Sequence, residues 1–366
     1  MGWPVGFIHP HRPWVTNLSS VYAIMRGFIS AWAHKSGCGR MAVSKDKSHY
    51  IDPDLTAGLE MMRTLTGDND LTQDLAAARL AANARDDMLL SNIDLPAHIL
   101  RGMETATASA GHDIEMRIMQ PDGAGKKPLF YWMHGGGYVL GQAKQGDSFT
   151  LRAAQIGCYA ASVEYRLAPE TAYPGPLDDC YEGLAHLLNN ADALGIDKTR
   201  IIIGGVSAGG GLCAGLALLI RDRGLCAPLG QVLLYPMIDD TNLQPASDTL
   251  PDTPVWSRHY NHFGWQSYLG DLFGAKDVPI YAAPARAEYL SGLPPTYMPV
   301  GDLDLFLDEN IAYARKLTRA GVPTHFHIVP GAFHGFNGFV PDAPVSRAIN
   351  GEIFGYVEKL LAEAGG

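Results

Sequence analysis

The sequence is poor in positive charge. Across 366 residues, 28 lysine and arginine side chains stand against 38 aspartate and glutamate side chains, which gives a formal net charge of −10. Surfaces that bind nucleic acid or anionic membranes need clustered basic side chains to neutralise phosphate charge. We therefore expect no nucleic-acid partner, and a neutral or apolar small molecule is easier for this chain to accommodate.

Cysteine is also scarce, and its arrangement argues against two common uses. The five cysteines are odd in number and show neither CxxC spacing nor the pairing with histidine that is typical of metal sites. They are Cys38, Cys158, Cys180, Cys213 and Cys226. This pattern predicts no metal site and favours reduced structural thiols, so we expect a reducing, cytoplasmic location.

The sequence lacks the run of about 20 apolar residues that a membrane-spanning helix needs. Residues 18–33 are rather apolar, but Arg26 interrupts them, so we expect no stable membrane insertion. The segment ends in Ala31-Trp32-Ala33, a small-x-small pattern similar to a signal-peptidase site. We interpret residues 1–40 as an N-terminal extension of uncertain order. A cleaved signal on an exported protein is the alternative.

Apolar periodicity organises the chain from residue 51 onward. Between residues 51 and 100, side chains such as Leu55, Leu59 and Met62 recur every three or four positions, which predicts helices. Two alternating runs, near 98–106 and 113–120, predict an antiparallel pair of strands at a sheet edge.

After residue 128, continuous apolar runs alternate with helical stretches. Runs buried on both faces are typical of parallel strands, so the alternation predicts a doubly wound α/β sheet with its functional residues at the carboxyl ends of strands. The predicted strands are 129–133, 160–165, 201–204, 232–235, 296–300 and 324–329. The predicted helices are 147–156, 176–190, 209–223, 308–320 and 346–363.

Residues 239–276 interrupt this alternation. The stretch is too long for a strand-to-helix connection and too aromatic for a plain surface loop, which predicts an insertion over the site. With the N-terminal helices it could form an apolar lid. The alternative is that its aromatic side chains pack the core of a subdomain.

The pentapeptide Gly205-Val206-Ser207-Ala208-Gly209 directly follows the strand predicted at 201–204 and precedes a helical run. This strand-turn-helix setting is typical of a nucleophile elbow, in which a sharp turn strains the backbone of the central serine and leaves no room for neighbouring side chains. The alternative is an ordinary helix start with Ser207 as its N-cap.

The glycine-rich segment His134-Gly135-Gly136-Gly137 closes the strand predicted at 129–133. Successive glycines let backbone amides approach a ligand, so we predict an oxyanion hole formed by the amides of Gly136, Gly137 and Ala208. A phosphate-binding loop is the alternative, but the spacings of the nucleotide-binding glycine motifs are absent.

A serine nucleophile needs an imidazole base, and His334 is the candidate. It lies in a loop after the last predicted strand, where a base can reach the elbow. His325 and His327 compete with it, but they alternate within the strand and therefore share one face.

The base in turn needs a carboxylate, and three aspartates follow the strand predicted at 296–300. Asp302, Asp304 and Asp308 all lie near its carboxyl end, and Asp304 is our preferred candidate. Spacing alone does not separate the three, and any of them could instead cap the helix that follows.

Together these motifs resemble the hormone-sensitive-lipase-like esterases, the bacterial family IV carboxylesterases, from about Asp113 to the C-terminus. The matching pieces are His134–Gly137, Tyr165-Arg-Leu-Ala-Pro-Glu170 with Pro174 and Leu177-Asp-Asp179, the serine elbow, Asp304-Leu-Phe-Leu-Asp-Glu309 and His334-Gly-Phe336. The resemblance implies an α/β-hydrolase fold, with a mostly parallel central sheet flanked by helices and covered by a helical cap. It assigns residues 41–97 and part of 239–276 to the cap and residues 98–366 to the catalytic domain.

The resemblance also implies residue roles. Ser207, Asp304 and His334 would form the catalytic triad, and His134 would brace the oxyanion loop. Gly135, Gly205 and Gly209 would support the two motifs. The chain departs from the family pattern at Val206, where the family has Asp or Thr, and at Leu305, where it has Pro.

The resulting expectation is hydrolysis of short- to medium-chain acyl esters through an acyl-enzyme, without metal or organic cofactor. An amide, carbamate or arylformamide hydrolase would use the same triad. A small-molecule receptor on this fold is a further alternative, but such receptors lose the histidine that this chain keeps as His334. Homodimers are frequent in the resembled family, so a homodimer is also expected from the resemblance.

Overall fold

A computed structural model describes residues 51–66, 70–90, 93–242 and 255–365. Our expectations for residues 1–40, and for residues 243–254 of the insertion, lie outside the described residues.

Eight strands in the described ranges form one sheet. They are β1 (Ile99–Thr107), β2 (Asp113–Pro121), β3 (Lys127–Met133), β4 (Tyr159–Val163), β5 (Ile196–Val206), β6 (Gly230–Leu234), β7 (Thr296–Gly301) and β8 (Thr324–Val329). Their spatial order is β1-β2-β4-β3-β5-β6-β7-β8. β2 pairs antiparallel with β1 and β4, and the other neighbours pair in parallel. The predicted antiparallel edge pair and the mostly parallel sheet are confirmed.

The described helices flank this sheet. They are α1 (Pro53–Thr66), α2 (Leu75–Leu90), α3 (Asp147–Gln155), α4 (Gly175–Asn189), α5 (Ala191–Leu194), α6 (Ala208–Arg223), α7 (Arg258–Leu269), α8 (Leu307–Arg319), α9 (Phe336–Phe339) and α10 (Pro344–Ala364). The helices predicted between residues 51 and 100 are confirmed as α1 and α2.

The two faces of the sheet carry two separate hydrophobic clusters, because side chains alternate along each strand. Tyr131 and Ile203 face one cluster, which includes the apolar side chains of α4 and α6. Phe130 and Ile202 face the other, which includes side chains of α1, α3 and α10. Strands β3, β4, β6 and β7 and residues 201–205 of β5 are therefore buried on both faces, as their composition predicted. The same prediction was wrong for β8, which lies at the sheet edge and is mostly half-buried or exposed.

Strand β5 begins earlier than predicted, at Ile196 rather than Ile201. Ile196 pairs with Lys127, but the register of the β3 and β5 pair shifts between Pro128 and Leu129. The intervening residues 197–200 are polar and partly exposed. Because they carry no apolar pattern, the sequence gives no sign that the strand extends through them.

Residues 255–276, the larger of the two described parts of the aromatic insertion, contain α7 and a short 3₁₀ turn. Trp265 and Tyr268 of α7 are fully buried and pack on Tyr138, with ring centroids 5.3 and 4.0 Å from its ring. These aromatic side chains thus join the main core cluster. The assignment of this segment and of residues 41–97 to a cap stays a prediction.

Candidate active site

Ser207 lies in a tight turn between β5 and α6. Its backbone angles, φ +57° and ψ −121°, fall in a region that non-glycine residues rarely adopt. A Cβ at Gly209 would lie 2.2 Å from the carbonyl oxygen of His134, so a side chain at this position would collide with the oxyanion loop. A Cβ at Gly205 would lie 2.2 Å from the Gly209 carbonyl oxygen. Ser207 occupies the N-cap position of α6, but its side chain makes no capping hydrogen bond.

The structure brings Ser207, His334 and Asp304 together in a hydrogen-bonded chain. The Ser207 Oγ lies 2.9 Å from His334 Nε2, and His334 Nδ1 lies 2.8 Å from Asp304 Oδ2. Ser207 and His334 are each 5% exposed, and Asp304 is fully buried. With the ring proton on Nδ1, the imidazole donates to the carboxylate and accepts from the serine hydroxyl, which is the arrangement that base catalysis requires.

The geometry separates the three candidate aspartates. Only Asp304 contacts His334 among them, and its second oxygen accepts a hydrogen bond from the Phe306 amide at 2.9 Å. Asp302 accepts instead from the Gly331 amide at 2.8 Å, and Asp308 is exposed. The N-cap of α8 is Phe306, so none of the three occupies the capping position.

The competing histidines of β8 lie away from the elbow. His327 Nδ1 is 2.9 Å from Glu352 Oε2, and the His325 ring contacts Tyr356 at 5.4 Å between centroids. Both partners belong to α10. The two histidines therefore share one face of the strand, as their alternation predicted.

Tyr235 supports His334 from the end of β6, a contact that the sequence did not reveal. Its ring meets the imidazole edge-on at 5.0 Å, as does the ring of Phe306. The Tyr235 hydroxyl donates to Asn337 Oδ1 at 2.7 Å, so the tyrosine is tied to the helix that follows His334. Burial raises the pKa of Tyr235, which keeps it a neutral donor. The one sequence feature that could have pointed to Tyr235 as a site residue is its position directly after a buried strand.

The oxyanion loop approaches Ser207 closely. A Cβ at Gly135 would lie 3.4 Å from the Cβ of Ser207. Gly136, Gly137 and Tyr138 have φ values of 125°, 60° and 67°, a run of left-handed backbone that favours glycine. The amides of Gly136, Gly137 and Ala208 meet no acceptor within the described ranges. They are therefore free to donate hydrogen bonds to a ligand, and their role as an oxyanion hole stays a prediction.

His134 braces the start of this loop. Its Nδ1 donates to the Gly135 carbonyl at 2.8 Å, and its ring stacks on Tyr165 at 4.1 Å between centroids. The Tyr165 hydroxyl donates to the His134 carbonyl at 2.8 Å. Burial lowers the pKa of His134 to about 4, so the ring is neutral at pH 7.

Two further features concern metals and membranes. Within the described ranges, no group of three or more His, Cys, Asp or Glu side chains is arranged to hold a metal ion. No helix in those ranges combines the length and apolar character needed to cross a bilayer.

Known proteins share this architecture. The chain matches the family described as the alpha/beta hydrolase fold over residues 130–338. Carboxylesterase NlhH of Mycobacterium tuberculosis is 31% identical over 281 residues, which cover 74% of this chain and 88% of that protein. Ethyl acetate hydrolase of Pseudomonas putida is 29% identical over 304 residues, covering 78% and 92%.

Solved structures agree with these relatives. A bacterial heroin esterase is 39% identical to the chain, with a TM-score of 0.80 over 86% of this chain and 99% of that one. Esterase LipW of Mycobacterium marinum is 30% identical, with a TM-score of 0.77 over 86% and 98%. The chain therefore belongs to the α/β-hydrolase fold family, among its carboxylesterases.

Proposed function

We propose that the protein hydrolyses short- to medium-chain acyl esters, with Ser207 as nucleophile, His334 as base and Asp304 as supporting acid. The observation that carries this proposal is the pair of hydrogen bonds, 2.9 and 2.8 Å long, that join the three side chains. Relatives named ethyl acetate hydrolase and carboxylesterase support the ester class and a small acyl group.

In the acylation step, His334 Nε2 accepts the hydroxyl proton as Ser207 Oγ attacks the ester carbonyl carbon. The carbonyl oxygen becomes an oxyanion, which accepts hydrogen bonds from the amides of Gly136, Gly137 and Ala208. The tetrahedral intermediate then collapses, and the alcohol leaves with the proton from His334. An acyl-enzyme remains on Ser207.

In the deacylation step, His334 takes a proton from water, and the hydroxide attacks the acyl carbon. Collapse of the second intermediate releases the carboxylic acid and returns the proton to Ser207. Asp304 stabilises the imidazolium formed in both steps and keeps the His334 proton on Nδ1. The Phe306 amide holds one carboxylate oxygen, so the other stays directed at His334.

Substitution of the triad tests this proposal. We expect Ser207→Ala to lower kcat for p-nitrophenyl butyrate by about 10⁴-fold or more, and Asp304→Asn by about 10⁴-fold through the wrong histidine tautomer. Asp308→Asn is the matched control, because Asp308 is exposed in the same segment. Wild-type turnover by Ser207→Ala would refute the assignment, and tight binding without turnover across an ester panel would indicate a receptor.

The acyl and leaving-group preferences need a comparison of substrates. We expect kcat/KM to be highest for esters with short to medium acyl chains and lower for matching amides and carbamates. A higher kcat/KM for an amide or carbamate would assign the same triad to that reaction.

We also propose a cytoplasmic location. Cys158, Cys180, Cys213 and Cys226 are free thiols, the state that a reducing compartment maintains. Fractionation of the source cells tests this, and esterase protein recovered from the exported fraction would contradict it.

A further inference from the structure

Arg79 of α2 reaches the turn that contains the proposed oxyanion hole. Its Nε donates to the carbonyl oxygen of Val139 at 2.8 Å, across 60 residues of sequence. A second nitrogen, Nη2, donates to the Ala168 carbonyl at 2.9 Å. One side chain therefore joins an N-terminal helix to two loops of the sheet domain.

Glu170 fixes the direction of this guanidinium. Arg79 Nη1 and Nη2 lie 2.8 Å from Glu170 Oε1 and Oε2, a two-pronged contact that matches the planar shape of both groups. This contact lowers the pKa of Glu170, so the carboxylate is charged at neutral pH. The Arg79 side chain is 25% exposed and the Glu170 side chain 63% exposed, so the arginine is the more shielded member of the pair.

Val139 lies in a turn whose peptide groups are held at both ends. The amides of Val139 and Leu140 donate to the Gly136 carbonyl at 3.1 and 2.8 Å. The Val139 N–H shares its peptide group with the Tyr138 carbonyl, which accepts from the Ala168 amide at 2.9 Å. The Leu140 N–H shares its peptide group with the Val139 carbonyl, which accepts from Arg79 Nε.

These bonds determine where the Gly137 amide points. The Gly136 carbonyl and the Gly137 N–H belong to one planar peptide group, and in a trans peptide they point in opposite directions. Holding the carbonyl on the Val139 and Leu140 amides therefore aims the Gly137 N–H away from the turn. Since Gly136, Gly137 and Tyr138 all have positive φ, the turn lacks the backbone restraint of a regular element and depends on such bonds.

We propose that Arg79 is a positioning residue for the oxyanion hole. Its bond to the Val139 carbonyl holds the Val139–Leu140 peptide group, whose N–H in turn holds the Gly136 carbonyl. This aims the Gly137 N–H at the oxyanion. The proposal rests on the proposed function, because it assigns Arg79 a part in stabilising the same tetrahedral intermediate. It also means that an N-terminal helix, far from Ser207 in sequence, contributes to the chemistry.

The test compares Arg79→Met with Asp87→Asn, using p-nitrophenyl butyrate and an alkyl trifluoromethyl ketone. The ketone adds to serine and forms an oxyanion that resembles the transition state. We expect Arg79→Met to lower kcat by about 10-fold or more with KM changed by less than about 2-fold. The inhibition constant of the ketone should rise by the same factor as kcat/KM falls.

Asp87→Asn is the matched control on the same helix. Asp87 contacts Lys144 rather than the oxyanion turn, so removing its charge weakens another link between α2 and the sheet domain. We expect kcat and ketone affinity within about 2-fold of the wild type. Equal losses in the two variants would reduce Arg79 to an ordinary helix anchor and overturn the proposal.

Arg79→Lys keeps the inference testable if Arg79→Met does not fold. Lysine retains the charge but cannot bind two carbonyls and a carboxylate fork at once, so we expect an intermediate loss of about 3-fold in both kcat and ketone affinity. Wild-type values in Arg79→Lys or Arg79→Met, or a loss of kcat without a loss of ketone affinity, would overturn it. Failure of the proposed function is distinguishable from this outcome. In that case the wild-type protein and Ser207→Ala would turn over p-nitrophenyl butyrate equally, before any Arg79 variant is compared.

Discussion

At the scale of single residues, His134 couples the predicted oxyanion loop to the pH dependence of folding. Its ring is buried against Tyr165, and its pKa is lowered from 6.5 to about 4. Above pH 6.5 neither the folded nor the unfolded chain binds a proton there. Between pH 6.5 and about 4 only the unfolded chain does, so the folded state loses stability as pH falls through this window.

We therefore predict that the free energy of unfolding falls less with acidification in His134→Gln than in the wild type. The shift of His134 corresponds to about 3 kcal/mol in all, of which about 2 kcal/mol is lost between pH 7 and pH 5. Urea denaturation of both proteins at these two pH values measures the difference. An identical drop in both would show that His134 does not titrate as its burial requires.

The proposed functional residues differ in how far sequence alone could indicate them. Ser207 and His334 were predictable because each lies in a short motif next to an apolar strand. The acid was harder, since Asp302, Asp304 and Asp308 share one residue type and one strand end. Tyr235 and Arg79 were missed, because their contacts join residues about 60 to 100 positions apart that no local spacing connects.

At the scale of elements, the strands buried on both faces were the most predictable, because burial on both faces requires an uninterrupted apolar run. The start of β5 was not, since Asp197 and Arg200 satisfy each other by an ion pair and leave no apolar pattern. Apolar periodicity also could not establish the assignment of α1 and α2 to a cap. Periodicity identifies α1 and α2 as helices, but it does not say what they cover.

Helix α10 contains two glycines with open space around them, and we predict that replacing each with alanine stabilises the protein. A Cβ at Gly351 or Gly355 would meet no heavy atom within 4 Å. Since glycine in a helix is less favourable than alanine, each Gly→Ala change should raise the free energy of unfolding by about 0.5 to 1 kcal/mol.

Gly215→Ala in α6 is the contrasting variant for the same urea titration. Its Cβ would lie 2.2 Å from the backbone carbonyl oxygen of Tyr281, so we expect a loss of about 1 to 3 kcal/mol despite the better helix propensity. If all three substitutions shifted stability in the same direction, local space around the glycine would not be the deciding factor.

At the scale of the whole molecule, the buried thiols report on opening of the core. Cys158, Cys180 and Cys213 are buried, and burial raises the pKa of Cys158 to about 12. Cys226 is less buried and its thiol pKa is raised to about 11. Only a thiolate on an accessible cysteine reacts with a disulfide reagent, so native protein should react slowly.

We predict that Cys226 is labelled before the other three thiols in native Cys38→Ser protein, with the aromatic disulfide reagent DTNB at pH 8. The remaining thiols should react at the rate of global unfolding, and all four should react at once in guanidinium chloride. Mass spectrometry of labelled peptides identifies the order. Labelling of Cys158, Cys180 or Cys213 as fast as Cys226, with the fold intact, would contradict the packing described for the core.

The strand order also bears on when activity can arise during synthesis. Ser207, Asp304 and His334 follow β5, β7 and β8, three strands at one side of the sheet. A ribosome therefore synthesises the proposed nucleophile roughly a hundred residues before the proposed acid and base. If the three residues act as proposed, a nascent chain folding from its N-terminus carries an inert Ser207 until β8 has docked, and ester cleavage begins only on a nearly finished domain.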